Sequence, residues 1–275
     1  MYRWLITSGR DFSLGARVTY RLGGARPQVD TYQESSLTFY ESVLSISRKD
    51  CRIDRVIDRL STERLTKYVH RTRGDKVLAL TLYVWNHDVG SMLGFLLQQF
   101  EVCLRNSVAR ALCDRWGPDW HDVTAFTHRN REVTDLYRKT RTKAEENRPC
   151  QPVRNSDFIA ATGLSFWREV CKPHWVGEIW SKRLPIAFPN MNIEKEIRKN
   201  LENLHSKINL IVALRNRIAH HEPILGNKYE RIGAKLEDRH ADIIRIIGWM
   251  DEDFLHWTSS HDRFTEILQK CPVKR

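Results

Sequence analysis

The six cysteines, at 51, 103, 113, 150, 171 and 271, form no CxxC pair and stand at no Cys/His spacing suited to zinc. A disulfide scaffold and a structural metal site are therefore not expected. A reducing, cytoplasmic setting is. No apolar run approaches the ~20 residues needed to cross a bilayer, and the opening MYRWLITSGRDF lacks the apolar stretch of a signal peptide. There is no phosphate-cradling glycine loop, no G-x-S-x-G motif, no tandem repeat and no low-complexity tract. Acidic residues are also short: 34 Asp and Glu face 45 Lys and Arg, a formal net charge of +11. Such a balance favours a polyanionic partner, RNA or DNA, over a small acidic substrate.

With 275 residues, 41% of them hydrophobic, the chain can bury one substantial core or two small ones. Residues 1–50 carry Gly, Ser, Arg and scattered aromatics, including RLGGARPQ at 21–28, without sustained periodicity. A poorly structured extension is expected there. From residue 51 onward the patterning is helical, and one all-α domain over 51–275 is expected.

Two short helices are predicted over 52–69, the second capped by Ser61, then a core helix over 76–89, whose His87 and Asp88 read as a turn or a solvated end rather than as ligands. A further helix should run from Gly90 to Trp116, broken by Gly117 and Pro118. The charged run 129–147, with Arg138, Lys139, Arg141 and Lys143, reads as a solvated helical face and, secondarily, as a phosphate-tracking surface. Phe158, Phe166, Trp167, Trp175, Trp180 and Phe188 are taken mainly as core, with Lys172, Lys182 and Arg183 as candidates for backbone contacts. A last helix is predicted over 238–257.

The stretch around which these elements are organised is Asn192 to Glu222. Ile197, Leu201, Leu204, Ile208, Ile211 and Ile218 recur at helical spacing, and Arg215 falls over Ile208 and Ile211, inside that apolar stripe. A permanent cation there needs a carboxylate, a facing subunit or a phosphate. Asn216 and His220, four apart, lie on one flank, and Pro223 ends the helix near Glu222. Arg217, His221 and Glu222 add a second polar layer, and the spacing leaves His220 and His221 both open as the reactive imidazole. On the 90–116 helix, Glu101 interrupts the stripe of Leu97, Leu104, Val108 and Leu112. The expectation is that Glu101 meets Arg215 across a helix pair, with Arg105 sharing the carboxylate, as a register-fixing ion pair rather than as chemistry.

Arg215-Asn216-x-x-x-His220 resembles the R-(polar)-x3-H signature of HEPN-superfamily ribonucleases, and RNRIAHHEPI is similar to the Abi-like (abortive infection) branch of bacterial defence proteins. Further Abi-like landmarks follow in order: LSTERLTKYV at 60–69, LALTLYVWN at 78–86, FEVCLRNSVARAL at 100–112, WGPDW at 116–120 and LSFWREV at 164–170. The resemblance implies a HEPN-like antiparallel helical bundle and metal-independent, cofactor-free endoribonuclease activity in phage defence. It also implies a homodimer whose two motifs form one composite site, and a cognate antitoxin or phage-derived trigger as a further partner. In such a site Arg215 would hold the phosphate, Asn216 orient it, and His220 move protons. The competing expectation is a non-catalytic RNA-binding or protein-interaction module, in which Arg215, Asn216 and His220 merely tie a helix end.

Overall fold

A computed structural model describes residues 53–127, 131–193, 196–226 and 233–273, all within the compact unit Leu44–Arg275. The extension expected over 1–50 lies outside the described residues. Among the described residues the fold is all-α, with no strand. Two short helices, α1 (Ile53–Leu60) and α2 (Thr62–Arg71), are hinged at Ser61, whose hydroxyl accepts from the Arg64 amide at 3.3 Å as foreseen for an N-cap.

The centre of the fold is α3 (Lys76–Trp116), a single helix of 41 residues. Asp75 caps its start by accepting from the Leu78 amide at 2.9 Å, and Gly117, at φ 85°, ends it. Two helices were expected here, with a turn or a solvated end at His87 and Asp88 between them. The helix instead runs straight through Gly90 and Gly94, each of which costs a helix interior about 1 kcal/mol relative to Ala. Tertiary burial outweighs that cost. Leu82, Trp85, Val89, Leu93, Leu96, Phe100, Leu104, Val108 and Leu112 are fully enclosed along one stripe at spacings of three and four, and buried Thr81 and Ala109 extend the enclosure to other sides of the helix.

The partners of α3 follow in order. After a short 3-10 turn (Trp120–Asp122) come α4 (Thr124–Thr127), α5 (Arg131–Glu146), α6 (Asn155–Ala161), α7 (Leu164–Val170) and α8 (Ser181–Ala187). The long α9 (Ile197–Ala219) packs against α3, α7 and α10 (Ala234–Met250); α11 (Glu252–Ser259) and α12 (Phe264–Gln269) complete the chain. The predicted final helix is thus two, because Asp251 leaves the helical region and caps α11 by accepting from the Phe254 amide at 2.8 Å.

Phe158, Phe166, Trp167, Trp175, Trp180 and Phe188 are all core. Trp120 closes over the break after α3 and meets Phe126 and Phe158 edge-on at centroid distances of 5.6 Å. None of these rings is free to stack a base. The charged helix α5 buries only Val133, Thr140 and Ala144, so it is a solvated face as expected; Arg141 is held by Asp122 at 2.6 Å and Glu145 at 2.8 Å.

Asp157 secures the start of α6. Its carboxylate accepts from Arg154 Nε at 3.0 Å and from Arg148 Nη1 at 2.9 Å. The Arg154 hydrogen bonds, with smaller help from the charge of Arg148, pull its pKa down to about 2 against a burial effect of opposite sign. A depressed carboxylate pKa contributes stability above the ordinary Asp range and loses it as pH falls towards about 2. Urea midpoints should therefore drop more between pH 5 and pH 2.5 for the wild type than for Asp157→Asn.

Candidate functional site

The buried stripe of α9 runs through Leu201, Leu204, Ile208, Ile211 and Val212, then narrows to Leu214 and Ile218 in the last turns. Arg215, Asn216 and His220 are exposed, and Arg215 is not inside the stripe as its angular position implied. The physical reason is that Leu214, one residue earlier, carries the contact at that level, so the guanidinium stays in water. Although α3 and α9 touch, Glu101 and Arg215 form no ion pair. Glu101 and Arg105 are each half-buried, and Arg105 Nε has no hydrogen-bond partner. The expected register-fixing pair is absent among the described residues. Solvation of Arg215 removes the need for it.

The end of α9 is fastened by other groups. His220 is the C-cap; the His221 amide donates to the Ile218 carbonyl at 3.0 Å and the Glu222 amide to the Arg217 carbonyl at 2.8 Å. These two bonds define a Schellman stop, whose left-handed position is normally glycine. Here it is His221, at φ 55°. Arg64 from α2 donates to the His221 carbonyl at 2.9 Å, placing a cation at the negative end of the helix dipole. Arg217 Nη2 donates to the Pro223 carbonyl, and its Nε lies 3.6 Å from Glu222 Oε2. Arg217, Glu222 and Arg64 therefore do the tying. The side chains of Arg215, Asn216 and His220 make no hydrogen bond or ion pair with the described residues.

Beside this helix end lies a groove of about 500 Å³ between α3 and residues 218–224. Asn86, His87, Gly90, Ser91, Gly94, Phe95 and Gln98 form one wall; Ile218, His221, Glu222 and Ile224 form the other. His87 is thus not part of a solvated turn. It is half-buried in mid-helix, its ring meeting Tyr83 edge-on at 4.5 Å, and Tyr83 in turn meets buried Tyr68 at 5.3 Å. Burial, then the proximity of His221 and Arg64, lowers the His87 pKa, with Asp88 opposing. Asn86 Oδ1 accepts from the Ile224 amide at 2.9 Å, which pins the returning chain to α3. Sequence reasoning missed this wall. Its signal was the row His87, Ser91, Gly94 and Gln98, polar or small at spacings of four, three and four in an otherwise apolar helix.

Of the other predicted cations, Lys172 is occupied by Glu132 at 2.8 Å and by buried Glu169 at 2.5 Å, and Arg183 by Asp114 at 2.8 Å. They serve the fold rather than a ligand. Lys182, Arg138, Lys139 and Lys143 are exposed.

Among the described residues, which are all-α, the charged motif thus sits unpartnered at the end of a core helix, beside a polar groove. The chain belongs to the Abi-like protein family, whose model matches residues 51–225 and so takes in the groove and the end of α9. No curated protein and no solved structure matches it. No described helix is long and apolar enough to cross a membrane.

A left-handed position costs an L-residue about 1 kcal/mol relative to glycine. His221→Gly should therefore raise unfolding free energy in urea by about that amount, and an unchanged or lower midpoint would show that the His221 side chain itself anchors the helix end.

Proposed function

We propose that the protein is a metal-independent endoribonuclease of the HEPN type, acting in the cytoplasm in abortive-infection defence. The observation that carries the reading is the division of labour at the end of α9. Arg217, Glu222 and Arg64 fasten the helix, while Arg215, Asn216 and His220 stand exposed without partners among the described residues. A set that only tied the helix end would be spent on it. Membership of the Abi-like family and the net charge of +11 point the same way.

In this reading Arg215 grips a phosphodiester oxygen through its guanidinium fork and offsets charge as the phosphorane forms. Asn216 orients the phosphate. The 2′-oxygen loses its proton and bonds to phosphorus; the bond to the 5′-oxygen breaks, and that oxygen takes up a proton. The products are a 2′,3′-cyclic phosphate and a 5′-hydroxyl. His220 is the proton-transfer group of this set, with His221 as its alternative.

A second copy of the chain would bring two such sets together. Leu210, 46% exposed, shares one side of α9 with Ala213 and His220, and an apolar residue this open on a core helix is suited to a homodimer seat. RNA is the substrate, and an antitoxin or phage-derived trigger is the partner that would restrain or release the activity.

The test is incubation of purified protein with total bacterial RNA in EDTA, beside folded Arg215→Ala, His220→Ala and His221→Ala variants. Wild type should leave 2′,3′-cyclic phosphate ends, and Arg215→Ala and His220→Ala should lose about 10²-fold or more in rate. Loss in His221→Ala alone would transfer the proton role to that residue. Binding without any product would leave a non-catalytic RNA-binding module.

A further inference from the structure

A second cleft, of about 530 Å³, lies between α3, the start of α6 and the junction of α10 with α11, and no residue of α9 lines it. Much of its lining is apolar, with Val102 and Ala109 from α3, Ile159 from α6 and Phe254 from α11. Two charges of opposite sign face it as well, Arg110 on α3 and Asp251 at the head of α11. They do not meet. Arg110 is exposed and forms no ion pair among the described residues; its Nη2 donates to the hydroxyl of buried Ser107 at 3.2 Å. Asp251 accepts from the Phe254 amide at 2.8 Å and forms no ion pair with the described residues either. Each has a tether of its own and no counter-ion, although opposite charges sharing a cleft attract.

Asn155, on the same lining, adds an orphaned atom. Its Nδ2 donates to Cys113 Sγ at 3.4 Å, while its Oδ1 is buried and has no hydrogen-bond partner among the described residues. Turning the amide over exchanges its two ends and still leaves one of them unpartnered, because Cys113 Sγ serves only the other. Buried polar atoms of this kind are rare in folded proteins and call for a partner. Cys103 also lines the cleft, and burial pushes its thiol up to about 11, so it stays neutral. Arg110 and Asp251 are the charged residues of the lining, and their charges cancel.

We infer that this cleft binds a free α-amino acid with a large apolar side chain. The carboxylate pairs with Arg110, the ammonium with Asp251 and the orphaned end of Asn155, and the side chain packs on Val102, Ile159 and Phe254. A zwitterion carries on one carbon the two counter-charges that Arg110 and Asp251 lack, and it adds no net charge to a lining that has none. A mononucleotide would set a doubly charged phosphate against Arg110 alone, with Asp251 opposing it. A chain terminus carries only one of the two charges. An ammonium group has donors enough for Asp251 and Asn155 together. The volume lies in the range usual for small-ligand sites and leaves room for an aromatic side chain. Asp251 and Phe254 follow residues 51–225, which the family model matches, so family membership does not imply this site. Nor does it depend on the ribonuclease reading.

The experiment is isothermal titration calorimetry of the full chain with L-leucine, L-methionine, L-phenylalanine and L-tryptophan, beside glycine and guanosine monophosphate. At least one of the four apolar amino acids should bind at a single site, and glycine about tenfold or more weakly than it. For the tightest of the four, the amide, which lacks the carboxylate, and the N-acetyl form, which lacks the ammonium, should each bind about tenfold or more weakly. Arg110→Gln should bind the amino acid and its amide alike. Asp251→Asn, which keeps a capping side chain on α11, should bind the amino acid and its N-acetyl form alike. Should Asp251→Asn fail to fold, Arg110→Gln with the acid and amide decides the matter. Absence of binding by all four overturns the proposal, as does binding indifferent to the loss of either charge or unchanged in either folded variant. Guanosine monophosphate bound more tightly than every amino acid overturns it too.

Discussion

A helix that is apolar on several sides cannot rest on a surface; it has to be surrounded. That constraint, set by α3, organises the molecule. Its enclosed side chains from Leu82 to Leu112 demand cover along most of its length, and α2, α8, α9, α10 and α12 are laid against it to supply that cover. The aromatic cluster around Trp120, Phe158 and Trp167 fills the wedge opened where the chain turns back at Gly117. With so much of the hydrophobic surface consumed in this way, the charged residues are left to sort into those that fasten elements and those that face water.

The sorting is informative at α9. Cations that brace the fold are found within ion-pair distance of a carboxylate: Lys172 with Glu132 and Glu169, Arg183 with Asp114, Arg148 and Arg154 with Asp157. Each of these pairs is partly shielded from water on at least one side, where a lone charge would be costly. Arg215 belongs to the other group. Its freedom is a property of the neighbouring residues, since Leu214 and Ile218 complete the apolar contact and Arg217 completes the helix stop.

Much of this was legible in the sequence because helical periodicity and stop signals are local. The α1 and α2 pair, the Ser61 cap, the break at Gly117 and the core role of the aromatics all follow from spacing within a few residues. The errors arose where a local signal was overruled from a distance. His87, Asp88 and Gly90 look like a helix end, yet enclosure of Trp85, Val89 and Leu93 carries the helix through them. Arg215 looks buried on a helical wheel, but a wheel assumes that the apolar stripe keeps its width to the last turn. The motif at the α9 end was readable as adjacent residues; the groove was not, because its two walls are more than a hundred positions apart in sequence.

Those two walls differ in how they are built. One is cut into α3, whose backbone is fixed by the same packing that holds the domain together. The other is a helix end and the few residues after it, assembled from separate contacts: Arg64, Arg217, the Asn86–Ile224 bond and the burial of Ile224 and Leu225. A wall made of one continuous helix thus faces a wall made of point contacts. A substitution at Arg64 or Arg217 therefore acts on the groove from one side alone.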